Sequence, residues 1–198
     1  MNAPVRLGVL LSGSGRTLQN LIDRISDGSL NARIEVVVSS NPEAFGLERA
    51  RKAGIPTATV ARKPFRDPES HSQEVTRALE RHPLDLVILA GYIHLFLFPQ
   101  KWAGRVLNIH PALLPEFGGK GFYGQKVHEA VLRKGAKESG CTVHFADHQY
   151  DHGGVILQRK VPVLPGDTPE MLAERVFQAE CEAFPEAIRK VAAEVVLS

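Results

Sequence analysis

Apolar, β-branched runs recur along this chain at intervals filled by helical patterns, and that alternation restricts the fold more than any other feature. The runs are "VRLGVLLS" (Val5 to Ser12), "RIEVVVSS" (Arg33 to Ser40), "TATV" (Thr57 to Val60), "LDLVILAG" (Leu84 to Gly91) and "RVLNIH" (Arg105 to His110). Between and after them the helical period predicts helices at about Thr17 to Ser26, Phe45 to Ala53, Glu69 to Arg81 and Gln125 to Lys134. Strands that are apolar nearly throughout and joined by helices belong to a parallel sheet covered on both faces. Beyond Gly140 the order changes to two successive strands, "CTVHFA" (Cys141 to Ala146) and "VILQRKVPV" (Val155 to Val163), whose short joint "DHQYDHGG" favours antiparallel pairing. Thr168 then stands as an N-cap, with Pro169 at the first helical position, before a long C-terminal helix expected to break or kink near Pro185. The expected fold is α/β: a doubly wound, mostly parallel, Rossmann-like sheet with an antiparallel C-terminal edge and a long C-terminal helix.

A chain of 198 residues can bury one core, so a single domain over 1–198 is expected. Charged residues at 23% and hydrophobic ones at 43% are ordinary for a soluble protein, and no apolar stretch approaches the roughly 20 residues of a membrane helix. The first residues, "MNAPVRLGVLLSG", lack the pattern of a secretory leader, which makes a cytoplasmic location the expectation. A net charge of +2 made of interleaved signs offers no basic block, so neither nucleic acid nor membrane is expected as a partner and a small molecule is. Cys141 and Cys181 stand apart, without the spacing of a disulfide framework or a zinc site.

Two segments carry chemistry. "LLSGSGRTLQNLI" places glycines between the first strand and its helix, where the N–H groups around Gly15, Arg16 and Thr17 suit an anion such as phosphate. The dinucleotide fingerprint is incomplete: Leu18 stands where a third glycine belongs, and the second strand ends in Ser39, Ser40 and Asn41 instead of an acidic residue. A monophosphate therefore fits better, although a tight turn needs glycines with no ligand at all. In "VLNIHPALLPEFGGKG", Asn108 and His110 lie two apart on a strand and project to one side. An amide can donate to an oxyanion and an imidazole can carry a proton near neutral pH, but two hydrogen-bonded core residues would look the same. Pro111 and Pro115 fix the chain's exit and favour the functional reading. His144, His148 and His152 are spaced four apart, yet a strand pattern and the pair Gly153 and Gly154 remove the helix that would align them, so no metal is expected. Asp151 gains a role only if it approaches His110, whose pKa it would raise.

In order along the chain, "SGSGRTLQNLI", "SSNPEAFGLERARKAGIP", "LDLVILAGYIHLF", "VLNIHPALLPEFGGKG", "CTVHFADHQYDHGGVILQ" and "VPVLPGDTPEMLAERVFQAECEAFPEAI" resemble the phosphoribosylglycinamide (GAR) formyltransferase family over essentially the whole length. The resemblance implies the formyltransferase fold, with a phosphate-binding half at about 1–100 and a catalytic, folate-binding half at about 101–198. It implies transfer of a formyl group from 10-formyltetrahydrofolate, as co-substrate and without a metal, to the amine of GAR in de novo purine biosynthesis. By motif position, Asn108, His110 and Asp151 become the catalytic residues, with Asn108 and a protonated His110 donating to the oxyanion. Gly15, Arg16, Thr17 and Glu180 become the GAR-binding residues. Ile93, His94, Leu95, Phe96, Asn108, Asp147, His148, Gln149, Tyr150 and Asp151 become the folate-binding ones. The family also implies a cis bond between Leu114 and Pro115; the sequence itself leaves monomer or homodimer open.

Several positions depart from the family's usual residues. Arg16 and Thr17 replace the end of a Gly-Ser-Asn loop, His94 stands where many members have Arg, Cys181 where His is usual, and Gly154 where Pro is usual. The segment "EFGGKGFYGQKVHEA" is longer than its usual counterpart, so Lys120 and Tyr123 become candidates for extending the substrate pocket. Methionyl-tRNA formyltransferase and formyltetrahydrofolate hydrolase share the Asn-x-His-Pro core but carry further domains not expected here. A sugar-amine N-formyltransferase would lack the phosphate loop, and a sensor of nucleotide phosphates would have no need of the catalytic residues.

Overall fold

The structure, a computed structural model, describes residues 3–195. Seven strands form one sheet in the order β3-β2-β1-β4-β5-β6-β7: β1 (Val5–Leu11), β2 (Ala32–Ser39), β3 (Thr57–Thr59), β4 (Leu86–Leu89), β5 (Val106–His110), β6 (Glu138–Phe145) and β7 (Val155–Pro162). The helices are α1 (Arg16–Ser26), α2 (Phe45–Lys52), α3 (Pro68–Leu79), α4 (Gln125–Arg133) and α5 (Pro169–Val195), with a short 3-10 turn at Gln100–Trp102. The pairs β1–β2, β1–β4 and β2–β3 are parallel, and β6–β7 is antiparallel. The chain divides into two compact units. One runs up to Leu107 and resumes at Arg189; the other runs from Asn108 to Ile188.

In the first unit the central strands are buried on both faces over most of their length, as a parallel sheet under helices requires: Leu7, Val9, Leu10 and Leu11 in β1, Val36 to Val38 in β2 and Leu86 to Ile88 in β4 are at most 1% exposed. Leu18 and Leu21 of α1, Leu47 of α2 and Val75 and Leu79 of α3 close over them. Local chemistry sets the helix ends. Asp67 caps α3 by accepting the Ser70 N–H at 2.7 Å, and Pro68 follows at the first helical position, so α3 begins earlier than the apolar pattern suggests. Arg6 grips Asp85 through two side-chain hydrogen bonds of 3.0 and 2.7 Å, which aligns the start of β1 with the residue preceding β4.

In the second unit, Val127 and Val131 of α4, Cys141 and Val143 of β6, and Leu172, Val176, Ala183 and Phe184 of α5 are buried. Two sequence expectations change here. Strand β6 starts at Glu138, three residues before the apolar run, because its ladder to β7 extends to the pair Glu138 and Pro162. Helix α5 continues through Pro185 without the expected break. The residues around that proline, Ala183, Phe184, Ala187 and Ile188, are fully buried, and such packing outweighs the loss of one backbone hydrogen bond.

Candidate active site

The site begins where β5 ends. Asn108 and His110 project from its last turn of pleat, and Pro111 starts the loop that includes a cis bond between Leu114 and Pro115. Thr142 of β6 fixes that loop, donating to Ala112 O at 2.7 Å and accepting from Leu114 N at 3.0 Å. The loop after β6 brings Asp151 to the same place. Its Oδ1 accepts from Asn108 Nδ2 at 3.3 Å, and its Oδ2 lies 3.4 Å from His110 Nδ1 and accepts from the Gly119 N–H at 2.9 Å. Residues 43 positions apart in sequence thus form one hydrogen-bonded cluster within the second unit.

His144 completes it. Its Nδ1 lies 2.8 Å from Phe145 O, a group that can only accept, so that nitrogen carries the proton and Nε2 accepts from Asn108 Nδ2 at 3.0 Å. Both N–H groups of the Asn108 amide are therefore in use, one in a short bond to an imidazole and one in a long bond to a carboxylate. The longer bond is the one an arriving oxygen atom displaces at least cost. Sequence reasoning considered His144 only as a metal ligand and missed this contact; its position on the strand beside β5 was the available signal.

His110 is 3% exposed, and its Nε2 donates to Phe117 O at 2.8 Å. Burial pushes its pKa below the ordinary imidazole range; Asp151 and the Phe117 carbonyl pull it back up and His144 lowers it further, with the net direction down. The expectation that Asp151 raises this pKa is right about the pairwise effect, but burial outweighs it. For Asp151, burial alone would raise the pKa, yet it is lowered, with the His110 imidazole and the Gly119 N–H among the causes, so the group is a carboxylate near neutrality. His128, in α4, was not anticipated. It is buried, its Nδ1 has no hydrogen-bond partner, and burial followed by the nearness of His110 pushes its pKa to about 4, which keeps it neutral.

The other folate-loop candidates lie on the rim of this cluster in sequence. Asp147 accepts from Gln149 N at 2.8 Å and pairs with His152 at 2.7 Å, while His148, Gln149 and Tyr150 are exposed. Glu180 is half-buried on α5; burial, followed by the nearness of the Glu180 carboxylate, raises the Cys141 thiol to about 12. Gly153 is required by close approach: a Cβ there would sit 1.9 Å from Phe145 O, the carbonyl that orients His144.

The first unit holds the remaining candidates. Gly15 caps α1 with φ 69°, and its Cα face lies against α2, where a Cβ would come within 2.5 Å of the Gly46 Cα. Helix α2 braces the loop further: Gly46 N donates to Gly13 O at 3.1 Å, and Arg49 donates to Ser14 O at 2.9 Å and to Gln19 Oε1 at 3.2 Å. No acidic residue occupies the first turn of α1, which leaves the N-terminus of that helix, with Arg16 and Thr17, electropositive. Ile93 is exposed and its N–H donates to Ser12 Oγ at 3.2 Å. His94 stands edge-on to both Tyr92 and His71, and burial followed by the effects of His71 and Arg62 lowers its pKa. Phe96 is 3% exposed and packs on Phe98, so little of its ring is available to a ligand. Among the described residues, no group of three or more His, Cys, Asp or Glu side chains is arranged to hold a metal ion, and no helix is long and apolar enough to cross a membrane.

Comparison with known proteins shows the family. Residues 5–188 match the family model described as formyl transferase. The chain is 42% identical over 187 residues to the trifunctional purine biosynthetic protein adenosine-3 of Drosophila melanogaster, covering 92% of this chain and 14% of that protein. It is 41% identical over 193 residues to the chloroplastic phosphoribosylglycinamide formyltransferase of Arabidopsis thaliana, covering 96% of this chain and 66% of that one. The crystal structure of glycinamide ribonucleotide transformylase 1 from Symbiobacterium toebii superposes with a TM-score of 0.87 at 40% identity, covering 96% of this chain and 88% of the other. With the family model matched over nearly its whole length, this chain belongs to the formyl transferase family.

Proposed function

We propose that this chain transfers the formyl group of 10-formyltetrahydrofolate to the amine of 5′-phosphoribosylglycinamide, a step of de novo purine biosynthesis, and works as one formyltransferase domain. The observation that carries the reading is the cluster of Asn108 and His110, at the end of β5, with Asp151: an amide donor and a titrating imidazole, each beside the same carboxylate. The names of the matched plant and bacterial proteins support the choice of substrate.

The residues then have these roles. Asn108 gives up its long bond to Asp151 and donates to the oxygen of the formyl group as the amine nitrogen bonds to the formyl carbon and an oxyanion develops. Neutral His110 takes the proton released by the amine on Nδ1, and the imidazolium so formed is stabilised by Asp151 on one side and the Phe117 carbonyl on the other. His110 then returns that proton to the folate nitrogen as the bond between it and the formyl carbon breaks, so no proton is gained or lost overall. His144 holds the Asn108 amide in orientation. Gly15, Arg16 and Thr17 bind the phosphate of GAR, and Glu180 its ribose or glycinamide end. Ile93, His94, Leu95 and Phe96, with the loop Asp147 to Asp151, bind the folate.

The deciding experiment follows tetrahydrofolate release from 10-formyltetrahydrofolate with and without GAR. Release that requires GAR is the expected result. Release without GAR would make the protein a hydrolase, and no release in either case would overturn the reading.

A further inference from the structure

The backbone of Phe117 to Gly119 touches both members of the His110–Asp151 pair. Phe117 O accepts from His110 Nε2 at 2.8 Å, and the Gly119 N–H donates at 2.9 Å to the same Asp151 oxygen that faces His110 Nδ1. Reaching both groups from one three-residue stretch demands unusual backbone. Phe117 has φ 56°, a region that L side chains rarely enter, and Gly119 has φ 94°. Gly118 fits closely between them: a Cβ there would meet Leu114 Cδ2 at 2.4 Å and Asp151 Cβ at 3.2 Å. The Phe117 ring is held beneath the Lys134 ammonium, 5.3 Å from its centroid, and Lys134 is itself paired with Glu116 at 2.9 Å. A left-handed non-glycine residue, fastened on both sides and bonded to a reacting group, is where strain persists for function.

We propose that the Phe117–Gly119 backbone is a positioning element for the reaction proposed above, fixing the tautomer of His110 so that Nδ1 is its working nitrogen and holding the Asp151 carboxylate in register with it. A neutral imidazole has one proton to place. Beside Asp151 alone it would place that proton on Nδ1, toward the carboxylate, and Nδ1 would have nothing with which to accept another. The Phe117 carbonyl, able only to accept, draws the proton to Nε2 and leaves the Nδ1 lone pair available. The Gly119 N–H occupies Oδ2 and so weakens the carboxylate's competing pull. When Nδ1 takes up the proton of the attacking amine, both ring nitrogens face acceptors, and the charged ring is held without any movement. The lone pair, the carboxylate and the amide of Asn108 are thereby arranged before substrate arrives.

The test is the tautomer itself, read by long-range proton–nitrogen NMR on the full chain with 15N-histidine, the His110 signals being assigned by their loss in His110→Ala. The wild type is expected to show a neutral His110 protonated on Nε2. Phe117→Asn, which keeps the carbonyl and tolerates a left-handed backbone, should retain that pattern. Phe117→Val, which does not tolerate it, and Gly118→Ala, whose Cβ would be driven onto Leu114 Cδ2 and would crowd Asp151 Cβ, should show protonation moving to Nδ1. In parallel, kcat for formyl transfer should fall about 10–100-fold in Phe117→Val and Gly118→Ala, within the ~10²–10⁴-fold that positioned proton transfer provides, with KM for GAR little changed and Phe117→Asn clearly ahead of Phe117→Val. Should Phe117→Val fail to fold, Gly118→Ala and the wild-type spectrum still decide. A wild-type His110 protonated on Nδ1, or Val and Ala variants with the wild-type tautomer and kcat, would overturn the proposal. If the tautomer moves as expected but the wild type transfers no formyl group, the positioning stands and the assigned reaction fails.

Discussion

His110 and Asp151 illustrate how much of a titratable residue's behaviour comes from its surroundings. Each binds fewer protons in the folded chain than it would unfolded: burial lowers the imidazole's pKa, and the carboxyl's is lowered despite burial, with the His110 imidazole and the Gly119 N–H among the causes. Stability contributed by His110 is accordingly full above the ordinary imidazole value of about 6.5 and declines as pH falls below it, and that from Asp151 declines as pH falls below about 3.9. The pair also makes a prediction about titration. Asp151→Asn removes a charge that raises the His110 pKa, so the midpoint of His110 in an NMR titration should move further to acid, and formyl transfer should fall by about 10²–10⁴-fold. A midpoint that moves toward alkaline pH would contradict the arrangement. The residue types and their strand-end position were legible in the sequence, because Asn108 and His110 share one side of a strand. The contacts of His144, Phe117 and Gly119 were not, since they depend on how a loop folds back after β6 and on two backbone conformations that no side-chain pattern announces.

At the scale of elements, the sequence located the five helices and seven strands of the described residues within a few residues; β1, β2 and β4 were the plainest, because strands buried on both faces leave a nearly continuous apolar signature. The differences have local causes. The start of α3 follows the Asp67 cap, and α5 passes through Pro185 because burial of its neighbours holds the helix together. The joint between β6 and β7 is the element most exposed to a small change. A methyl group at Gly153 would be driven onto Phe145 O, so either the end of β6 or the Asp151 loop must move. Gly153→Ala should lose about 1–3 kcal/mol in urea unfolding, as overpacking does, together with most of the formyl-transfer rate. Gly154→Ala, where a Cβ meets nothing within 4 Å, should stay within about 0.5 kcal/mol of wild type in the same unfolding measurement. Equal losses at the two glycines would show that close approach is not what the first one is for.

For the molecule as a whole, the proposed phosphate loop links ligand binding to stability. An anion that binds only the folded chain raises its melting temperature by mass action. Inorganic phosphate at about tenfold its Kd adds ~1.4 kcal/mol, or roughly 3–6 °C for a domain of this size. Thermal scans in phosphate and in chloride at equal ionic strength should show that difference in the wild type and lose it in Gly15→Ala, where the left-handed backbone and the contact with Gly46 forbid a side chain. No shift in the wild type would remove the phosphate assignment. The division of the chain into two units carries a further consequence. Arg189 rejoins the first unit, where it donates to Ser29 O at 3.0 Å, although the 81 residues of the second unit lie between it and Leu107. On the ribosome, Arg189 is therefore made only after the whole second unit, so the first unit cannot be completed until the second has been synthesised.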